Sequence, residues 1–494
     1  MDSPISQFFD GKSVLVTGFS GFLGKVLVAK LVKSTNVKTI YVLIRDKNGL
    51  NYKQRTIKMV SNLPFSVDKN ANVNYSTRIV PIKGDLTHPD LGIDSSEIET
   101  LRREVTIIFH SAAEVRFNVG LATNYVQNVE GTGNLIKLCR TFDKIESFVH
   151  LSSLYSAGNQ PIVEESVQSL QFDFDEMSKC LSKSNDSMED RLKELQTRFP
   201  NSYTFTKAIA EELVEQELQD IPVAIIRPSI VFVSEKEPEP GWGDTLQGIQ
   251  GIAISGTTGL LQTVNWNYWT RFEMVPVDLC ANLTIASAWY IAEKSPTKLK
   301  VFNFSTGPFH PEWTFGRFFG AARELAIAYP SSKQLRPLLE PPRIKKASIF
   351  FPVEKFIYHT LFAFLIDLIL SLLGYKKILY KHAQRLNEGL DHVSFFATHQ
   401  YQIRTSNYID LIESMSTKDQ QLFPSDLRKL DFLNIVRTFY FGFRKYFLGD
   451  DDNNIETSRK RVKLVCFIYR FIQVFFLLIF GYTLITIINC YVLT

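Results

Sequence analysis

Short runs of apolar residues alternate with helical patterns along the first half of the chain. Most runs end in small or polar residues, and the first is followed by a helical pattern at Val26, Leu27 and Leu31. Strands alternating with helices predict an α/β fold, a Rossmann-like doubly wound parallel sheet. The predicted strands cover 14–16, 39–44, 79–86, 106–113, 148–153 and 223–231.

After residue 305 the pattern becomes helical, which predicts a smaller second domain over 306–449 behind a first domain over 1–305. Within it, 356–373 is strongly apolar but contains His359 and Asp367. A charge near the middle of a membrane span costs roughly 2.5–3.5 kcal/mol, so the pattern favours a buried or interfacial helix over a span.

The end of the sequence predicts a transmembrane helix. Residues 471–494 are 24 positions without a formal side-chain charge. At ~1.5 Å per residue they are long enough to cross a hydrocarbon core of ~30 Å. We therefore expect a linker over 450–463 and a membrane anchor over 464–494. The basic residues before the apolar run place that side in the cytosol, and the start of the chain lacks a signal-peptide pattern, so we expect a tail-anchored protein.

The first strand leads into a glycine-rich loop and then a helix. In this order, Gly18 permits a tight turn, Gly21 lets the backbone approach a pyrophosphate, and Gly24 allows close helix–strand packing. The helix N-terminus supplies amide groups and the positive end of a dipole. We predict a dinucleotide site here; the alternative is a merely structural turn. The predicted cofactor contacts in this loop are Gly18, Ser20, Gly21, Phe22, Leu23 and Gly24.

The ends of the later strands extend this cofactor site. Arg45 follows the second strand and suits the 2′-phosphate of NADP. The adjacent Asp46 could instead bind the ribose hydroxyls of NAD, so NAD is not excluded as the cofactor. We favour NADPH. Asp85 and Leu86 end the third strand, and Ala112 follows the fourth, where small residues let a cofactor lie close. His110 and His150 are expected to pack near strand ends. The Gly- and Pro-rich stretch 235–265 is expected to shape the substrate mouth.

A Tyr-x-x-x-Lys pair marks the candidate catalytic helix. Tyr203 and Lys207 lie four positions apart, so both side chains share one helical face. A nearby ammonium favours the phenolate and lowers its pKa, which lets the pair pass a proton to a nascent alkoxide. The alternative is an ordinary amphipathic helix start. Ser153, at the end of an upstream strand, completes a Ser–Tyr–Lys set.

Composition narrows the class of protein. Hydrophobic residues make up 45% of the chain and charged residues 21%, which is typical of a globular protein. The 39 Phe residues suggest apolar ligands or a membrane. A net charge of +4 is too weak to argue for nucleic acid. The five cysteines are scattered without CxxC, which favours a reducing compartment and predicts no metal site. Residues 156–199 are polar and acidic, and we expect a helical excursion there.

The motifs together resemble the alcohol-forming fatty acyl-CoA reductases, extended short-chain dehydrogenase/reductases with a C-terminal "male sterility"-type domain. The resemblance runs in order through TGFSGFLGK, LIRDKNG, GDL, FHSAAEVRF, NVEGT, FVHLSS, PNSYTFTKAIAEE, IRPSIV and FEMVPVDLCAN. This chain differs at Thr258 and Gln262, where family members often carry Lys and Arg. The difference concerns substrate range more than reaction type.

The resemblance implies roles for four residues. Tyr203 would donate the proton, Lys207 would lower its pKa and hold the nicotinamide ribose, Ser153 would polarise the carbonyl, and Asn128 would order a water relay. The implied reaction is NADPH-dependent reduction of long-chain fatty acyl-CoA to a primary alcohol through an aldehyde. A membrane-bound sterol dehydrogenase and a non-catalytic NADP-binding scaffold are the alternatives. The family implies the peroxisomal membrane or the endoplasmic reticulum as host.

Overall fold

A computed structural model describes residues 3–66, 75–170, 194, 196–246, 248–295, 297–338, 349–451 and 454–492. Its strands are β1 (Ser13–Thr17), β2 (Thr39–Ile44), β3 (Ile79–Lys83), β4 (Val105–His110), β5 (Ser147–Leu151), β6 (Ile162–Val163), β7 (Val223–Pro228), β8 (Ile230–Phe232), β9 (Met274–Pro276), β10 (Leu299–Phe304) and β11 (Gln402–Ile403).

The main sheet has seven strands in the order β10-β7-β5-β4-β1-β2-β3, and every pairing in it is parallel. The chain passes from β1 to β2 and β3 on one side, then returns to β4 on the other side. Ligands of such sheets bind outside the carboxyl ends of the strands at this reversal. The register there sets Thr17 beside His110 and His110 beside His150.

Helices of mixed length connect and cover the strands. The α-helices are Pro4–Phe8, Phe22–Ser34, Tyr52–Val60, Tyr75–Arg78, Ser95–Glu104, Leu121–Tyr125, Gly131–Cys139, Ser202–Glu217, Ile249–Thr257, Val277–Glu293, Phe315–Ala328, Phe351–Lys355, Phe362–Leu372, Leu379–Ser394, Ser406–Ser414, Thr417–Leu422, Phe432–Gly442 and Ile455–Val492. Tighter 3₁₀ turns are Pro89–Gly92, Leu154–Ala157 and Leu427–Lys429, and wider π turns are Val126–Glu130, Phe356–Leu361 and Phe443–Leu448.

The core follows from continuous burial of the central strands. Every residue of β1, β5 and β7 is buried, as parallel strands covered on both faces require. One apolar cluster joins this sheet to the helices Gly131–Cys139 and Ser202–Glu217 through side chains such as Leu135, Phe205 and Ile209. The helix carrying Tyr203 and Lys207 is therefore held rigidly against the sheet.

The chain divides into two compact units. The sheet unit comprises Met1–Asp244, Phe272–Trp313 and Gln400–Asp431, and the helical unit comprises Thr245–Arg271, Thr314–His399 and Phe432–Thr494. Within the sheet unit, β11 pairs in parallel with β6. Both units are thus discontinuous in sequence.

The predicted parallel Rossmann-like sheet is confirmed, with strand limits within a few residues of those expected. The strand β10 was not predicted. The stretch 235–265 is not all loop, because Ile249–Thr257 is helical. Most of the helical excursion expected in 156–199 lies outside the described residues. The domain limits at 305, 449 and 463 stay predictions.

Candidate functional site

The loop after β1 packs tightly against neighbouring backbone. Gly18 has a φ of +79°, and a Cβ there would lie 2.6 Å from the backbone nitrogen of Ala112. A Cβ on Gly24 would lie 2.2 Å from the oxygen of Gly18. The loop closes through a 2.9 Å bond from the Gly21 amide to the Gly18 oxygen, and Gly21 caps the helix Phe22–Ser34. Ser20 is exposed beside the helix N-terminus, whose free amides suit a pyrophosphate.

A basic cluster surrounds the ends of β2 and β3. Arg45 donates from Nη1 to Asp85 Oδ2 at 3.2 Å, and Arg55 donates to the Arg45 backbone oxygen. Burial and the neighbouring Arg45 charge lower the pKa of Arg55. A pocket here is lined by Arg45, Asp46, Lys47, Lys83, Gly84 and Asp85. Arg55 was not predicted from the sequence. Its position on the helix Tyr52–Val60 is the feature that could have indicated it.

Ser153 and Tyr203 are brought together from two separate elements. Ser153 follows β5 and caps the turn Leu154–Ala157, where its hydroxyl accepts the Tyr155 amide at 3.3 Å. Tyr203 lies in the first turn of Ser202–Glu217, which Asn201 caps by accepting the Thr204 amide at 2.9 Å. The Ser153 hydroxyl lies near enough to the Tyr203 phenol to lower its pKa. The arrangement presents two hydroxyl groups to one point.

Burial acts on the pKa of the Tyr203 phenol. Part of the side chain remains accessible, yet burial of the phenol raises the pKa of Tyr203 to about 12, against a smaller lowering effect from Ser153. Burial therefore opposes the lowering expected from Lys207, whose effect on this pKa stays a prediction. The physical reason is that desolvation penalises the phenolate.

Lys207 is buried behind this pair, with only 2% of its surface exposed. Its Nζ donates to the Leu151 oxygen at 2.5 Å and lies 3.4 Å from His150 Nε2. Burial lowers the pKa of Lys207 to about 8, while the charge of Glu211 acts in the opposite direction. The ammonium is therefore poised between its charged and neutral forms near the pH at which enzymes work.

The two histidines do lie at strand ends, but one of them contacts Lys207. His110 bridges the hydroxyls of Thr17 at 2.8 Å and Thr132 at 2.9 Å. Its ring centre lies 5.2 Å from that of His150. Burial lowers the pKa of His110 to about 3 and that of His150 well below its ordinary value, so both rings are neutral. Thr17, His110, His150 and Lys207 are thus neighbours in a row of polar side chains that starts at the end of β1.

Asn128 lies in the π turn and is 2% exposed. Its Oδ1 accepts the Glu114 amide at 2.7 Å, and its Nδ2 donates to the Glu114 oxygen and to Thr206 Oγ1, both at 3.1 Å. Thr206 in turn donates to the Tyr203 backbone oxygen at 3.0 Å. Both side-chain protons of Asn128 are therefore used in holding the segment after β4 against the helix of Tyr203.

A buried ion pair lies one helical turn beyond Lys207. Arg227 on β7 donates to Glu211 at 2.5–3.1 Å, and Ser156 donates to the same carboxylate at 2.8 Å. Arg227 also donates to the backbone oxygens of Glu164 and Ser166. Sequence reasoning missed this pair, although an arginine inside a strand as apolar as β7 was a usable signal.

The stretch before Asp244 lies along the cofactor helix. Trp242 packs its ring 5.5 Å from that of Phe22, and Asp244 forms an ion pair with Lys25. Further along the helix, Lys30 pairs with Glu237 at 2.5 Å. This part of the sheet unit therefore borders the glycine loop.

The helical unit contains an apolar pocket and a long apolar helix. The pocket has a mostly apolar lining, which includes Phe318, Phe439 and Phe443. Gln262 is buried, and its side chain donates to the backbone oxygens of Gly259 and Pro337. Its side chain therefore stabilises the interior of the helical unit. Among the described residues, one helical run, Phe351–Leu372, has the length and mean hydropathy (1.6) to cross a membrane, and 17% of its most apolar 18-residue window is buried. Most of this window is thus exposed within the helical unit, and the expected buried or interfacial helix stays a prediction.

Two family models match the chain. Both carry the description male sterility protein; one matches residues 16–284 and the other residues 358–450. The first covers the glycine loop, Ser153, Tyr203 and Lys207. The second covers most of the apolar helix and the segment before residue 451.

Named relatives match over almost the full chain. The chain is 32% identical over 465 residues to fatty acyl-CoA reductase 1 of Rattus norvegicus. It is 31% identical over 466 residues to fatty acyl-CoA reductase wat of Drosophila melanogaster. Each alignment covers 93% of this chain and 89% of the relative.

Solved structures share the fold. The terminal R domain of the myxalamid PKS-NRPS pathway has a TM-score of 0.58 at 17% identity, covering 88% of this chain and 91% of that domain. The reductase domain of a nonribosomal peptide synthetase from Mycobacterium tuberculosis has a TM-score of 0.58 at 16% identity, covering 90% of this chain and 96% of that one.

Proposed function

Because the chain belongs to the fatty acyl-CoA reductase family, we propose that it reduces long-chain fatty acyl-CoA to the primary alcohol with NADPH, through an aldehyde. The observation that carries this proposal is the convergence of Ser153, Tyr203 and Lys207 at the carboxyl end of β5. The overall reaction consumes two NADPH and two protons per acyl-CoA and releases CoA and the alcohol.

The two hydroxyl groups act on the carbonyl oxygen. Ser153 donates a hydrogen bond to the oxygen as negative charge develops there, and Tyr203 transfers a proton to it. The raised pKa keeps the phenol protonated at neutral pH, which suits a donor to a strongly basic alkoxide. After the first reduction, the protonated hemithioacetal collapses, so that the C–S bond breaks and CoA leaves as the thiol. The aldehyde then receives a second hydride and a second proton.

Lys207 and Asn128 have supporting roles in the proposal. The Lys207 ammonium has one donor directed to Leu151 and lies beside His150, which leaves a proton to hold the nicotinamide ribose. Asn128 positions Tyr203 through Thr206. Both amide protons of Asn128 are used in these contacts, and its Oδ1 keeps a second lone pair for the proposed water relay.

The cofactor is a nicotinamide dinucleotide, and we propose NADPH. A side chain at Gly18 or Gly24 would meet the protein's own backbone, so these glycines support the tight turn and the close helix packing of a dinucleotide-binding loop. Ser20, Phe22 and Leu23 at the start of the following helix, and Leu86 and Ala112 at strand ends, are the further proposed contacts. Arg45 and Arg55 together offer guanidinium groups to a 2′-phosphate. When bound, NADPH supplies the hydride for both reductions.

We also propose that residues 464–494 anchor the protein in a membrane with both preceding domains on the cytosolic side, in the peroxisome or the endoplasmic reticulum. Support comes from the single helix Ile455–Val492 and its exposed apolar side chains, including Phe471 and Leu478. Arg459, Lys460 and Arg461 precede the apolar part, and positive charge favours the cytosolic side.

The proposal is tested by mixing full-length protein in detergent with NADPH and palmitoyl-CoA and separating the lipid products. We expect hexadecanol and free CoA in equal amounts, with two NADPH oxidised for each. Aldehyde as the only product would reduce the proposal to a single reduction, and unchanged acyl-CoA across chain lengths, with NADPH bound, would refute it. Tyr203→Phe provides the inactive control.

A further inference from the structure

The helical run Phe351–Leu372 exposes an apolar face. Its exposed large side chains recur at helical spacing, so they lie on one side. Phe364 is 51% exposed and Ile369 is 53% exposed, well above the level of a packed core. The face is formed by Val353, Phe356, Ile357, Leu361, Phe364, Leu365, Leu368, Ile369 and Leu372.

The opposite face of the same run is attached to the helical unit by polar contacts. His359 is fully buried, accepts the Gln262 amide at 3.0 Å through Nε2, and contacts Asn387 Oδ1 at 2.8 Å through Nδ1. Asp367 is 3% exposed and accepts the amides of Ile378, Leu379 and Tyr380 at 2.8–3.1 Å. These bonds cap the next helix, Leu379–Ser394, and they fix which side of the run faces outward.

Two further features identify what covers the apolar face. Phe362 packs its ring 6.2 Å from that of Tyr469, just before the uncharged run that begins at Phe471. The contact therefore lies at the level where the proposed anchor meets the membrane surface. At the end of the run, Lys376, Lys377 and Lys381 are exposed, and such a cluster attracts anionic headgroups.

We propose that Phe351–Leu372 is an interfacial docking helix that lies in the surface of an anionic lipid bilayer without crossing it. The run inserts its apolar face among the acyl chains while Asp367 and His359 stay in contact with protein. A crossing helix would draw the Asp367 carboxylate and the helix end that it caps into hydrocarbon, where charged and polar groups are costly. The inference rests on the proposed membrane anchor, and its test separates the two.

The test uses the full-length chain in vesicles of phosphatidylcholine with about one-fifth phosphatidylserine, an anionic lipid that attracts lysine clusters. Cys180, Cys466 and Cys490 are replaced by serine, and an environment-sensitive fluorophore is attached to Leu368→Cys. Quenching is compared between lipids brominated near the headgroup and lipids brominated near the bilayer centre. Phe364→Cys repeats the measurement on the same face.

We expect both labels to emit at shorter wavelength and to be quenched more strongly by the shallow bromines than by the deep ones. Lys376→Glu with Lys377→Glu should weaken that quenching in anionic vesicles but not in pure phosphatidylcholine. Stronger quenching by the deep bromines would mean that the helix crosses, and water-like emission without quenching would mean no membrane contact. Either result overturns the proposal.

Two control labels separate this inference from the proposed anchor. A label on Leu478→Cys reports on the anchor alone, so absence of lipid quenching there would refute the anchor. A label on Lys53→Cys, exposed in the sheet unit, should remain unquenched. Quenching at Leu478 with none at Leu368 and Phe364 would retain the anchor and reject the docking helix.

Discussion

His150 Nε2 lies 3.4 Å from Lys207 Nζ, so a neutral imidazole faces the buried ammonium of the candidate catalytic helix. Beyond this contact, the Glu211 charge, one turn along the same helix, raises the pKa of Lys207, and the Lys207 charge lowers the pKa of His110 on the neighbouring strand. A neutral acceptor stabilises the protonated lysine, and removing it should lower the pKa of Lys207.

His150→Phe is therefore expected to move the alkaline limb of the pH–kcat profile to lower pH. Lys207 acts as an ammonium with a pKa of about 8, so activity is present below that pH and falls as pH rises through it. Loss of one hydrogen bond to a charged group corresponds to about one pH unit. His150→Gln retains an acceptor and should restore much of the profile. The pH dependence of NADPH dissociation should shift in parallel, and an unchanged profile in His150→Phe would contradict the role.

Tyr203→Phe should abolish reduction but retain cofactor binding. The phenol supplies the proton, and general acid catalysis contributes about 10²–10⁴-fold in rate. The dissociation constant of NADPH, measured by fluorescence, should stay close to that of the unmodified protein. Tyr290→Phe, on the helix Val277–Glu293, makes the same chemical change and should keep full activity. A near-normal rate in Tyr203→Phe would remove the phenol from the mechanism.

Arg45→Ala should weaken binding of NADPH about tenfold to a hundredfold, as expected for a lost hydrogen bond to a charged group. NADH lacks the 2′-phosphate, so its dissociation constant should change little. Arg55→Ala is expected to act in the same direction because its guanidinium reaches the Arg45 backbone. Arg103→Ala, exposed on another helix, is the control. Equal losses for NADPH and NADH would show that Arg45 does not read the phosphate.

Arg227→Leu should destabilise the sheet unit strongly. It leaves the Glu211 carboxylate buried at 1% exposure without its cation, and breaking a buried pair in this way costs about 3–5 kcal/mol. Thermal unfolding in detergent should show a clear decrease in Tm. Lys144→Ala removes one side of an exposed pair with Glu146 and should cost at most about 1 kcal/mol. Similar Tm values for the two variants would mean that the buried pair contributes little.

The sheet and much of the candidate site could be predicted because their signals are local. A glycine loop can be recognised from the strand before it and the helix after it. The four-residue spacing of Tyr203 and Lys207 places both on one helical face whatever surrounds the helix. Arg45, Asp85 and Ser153 were recognised because residues at the carboxyl ends of parallel strands face one crevice. Contacts between distant segments left no such signal. The pairing of β11 with β6 joins positions far apart in the chain.

The sequence by itself determined which groups are the candidates for the chemistry and along which elements they lie, since periodicity and turn chemistry act over a few residues. Only the tertiary structure decided how those groups behave. Burial raised the pKa of Tyr203 against the lowering expected from the nearby lysine, and packing of the helix on the sheet placed His150 beside Lys207. The side-chain amide of Asn128 forms hydrogen bonds with Glu114 and Thr206. Desolvation and hydrogen-bond partners depend on every segment packed around a group, and a linear pattern does not contain them.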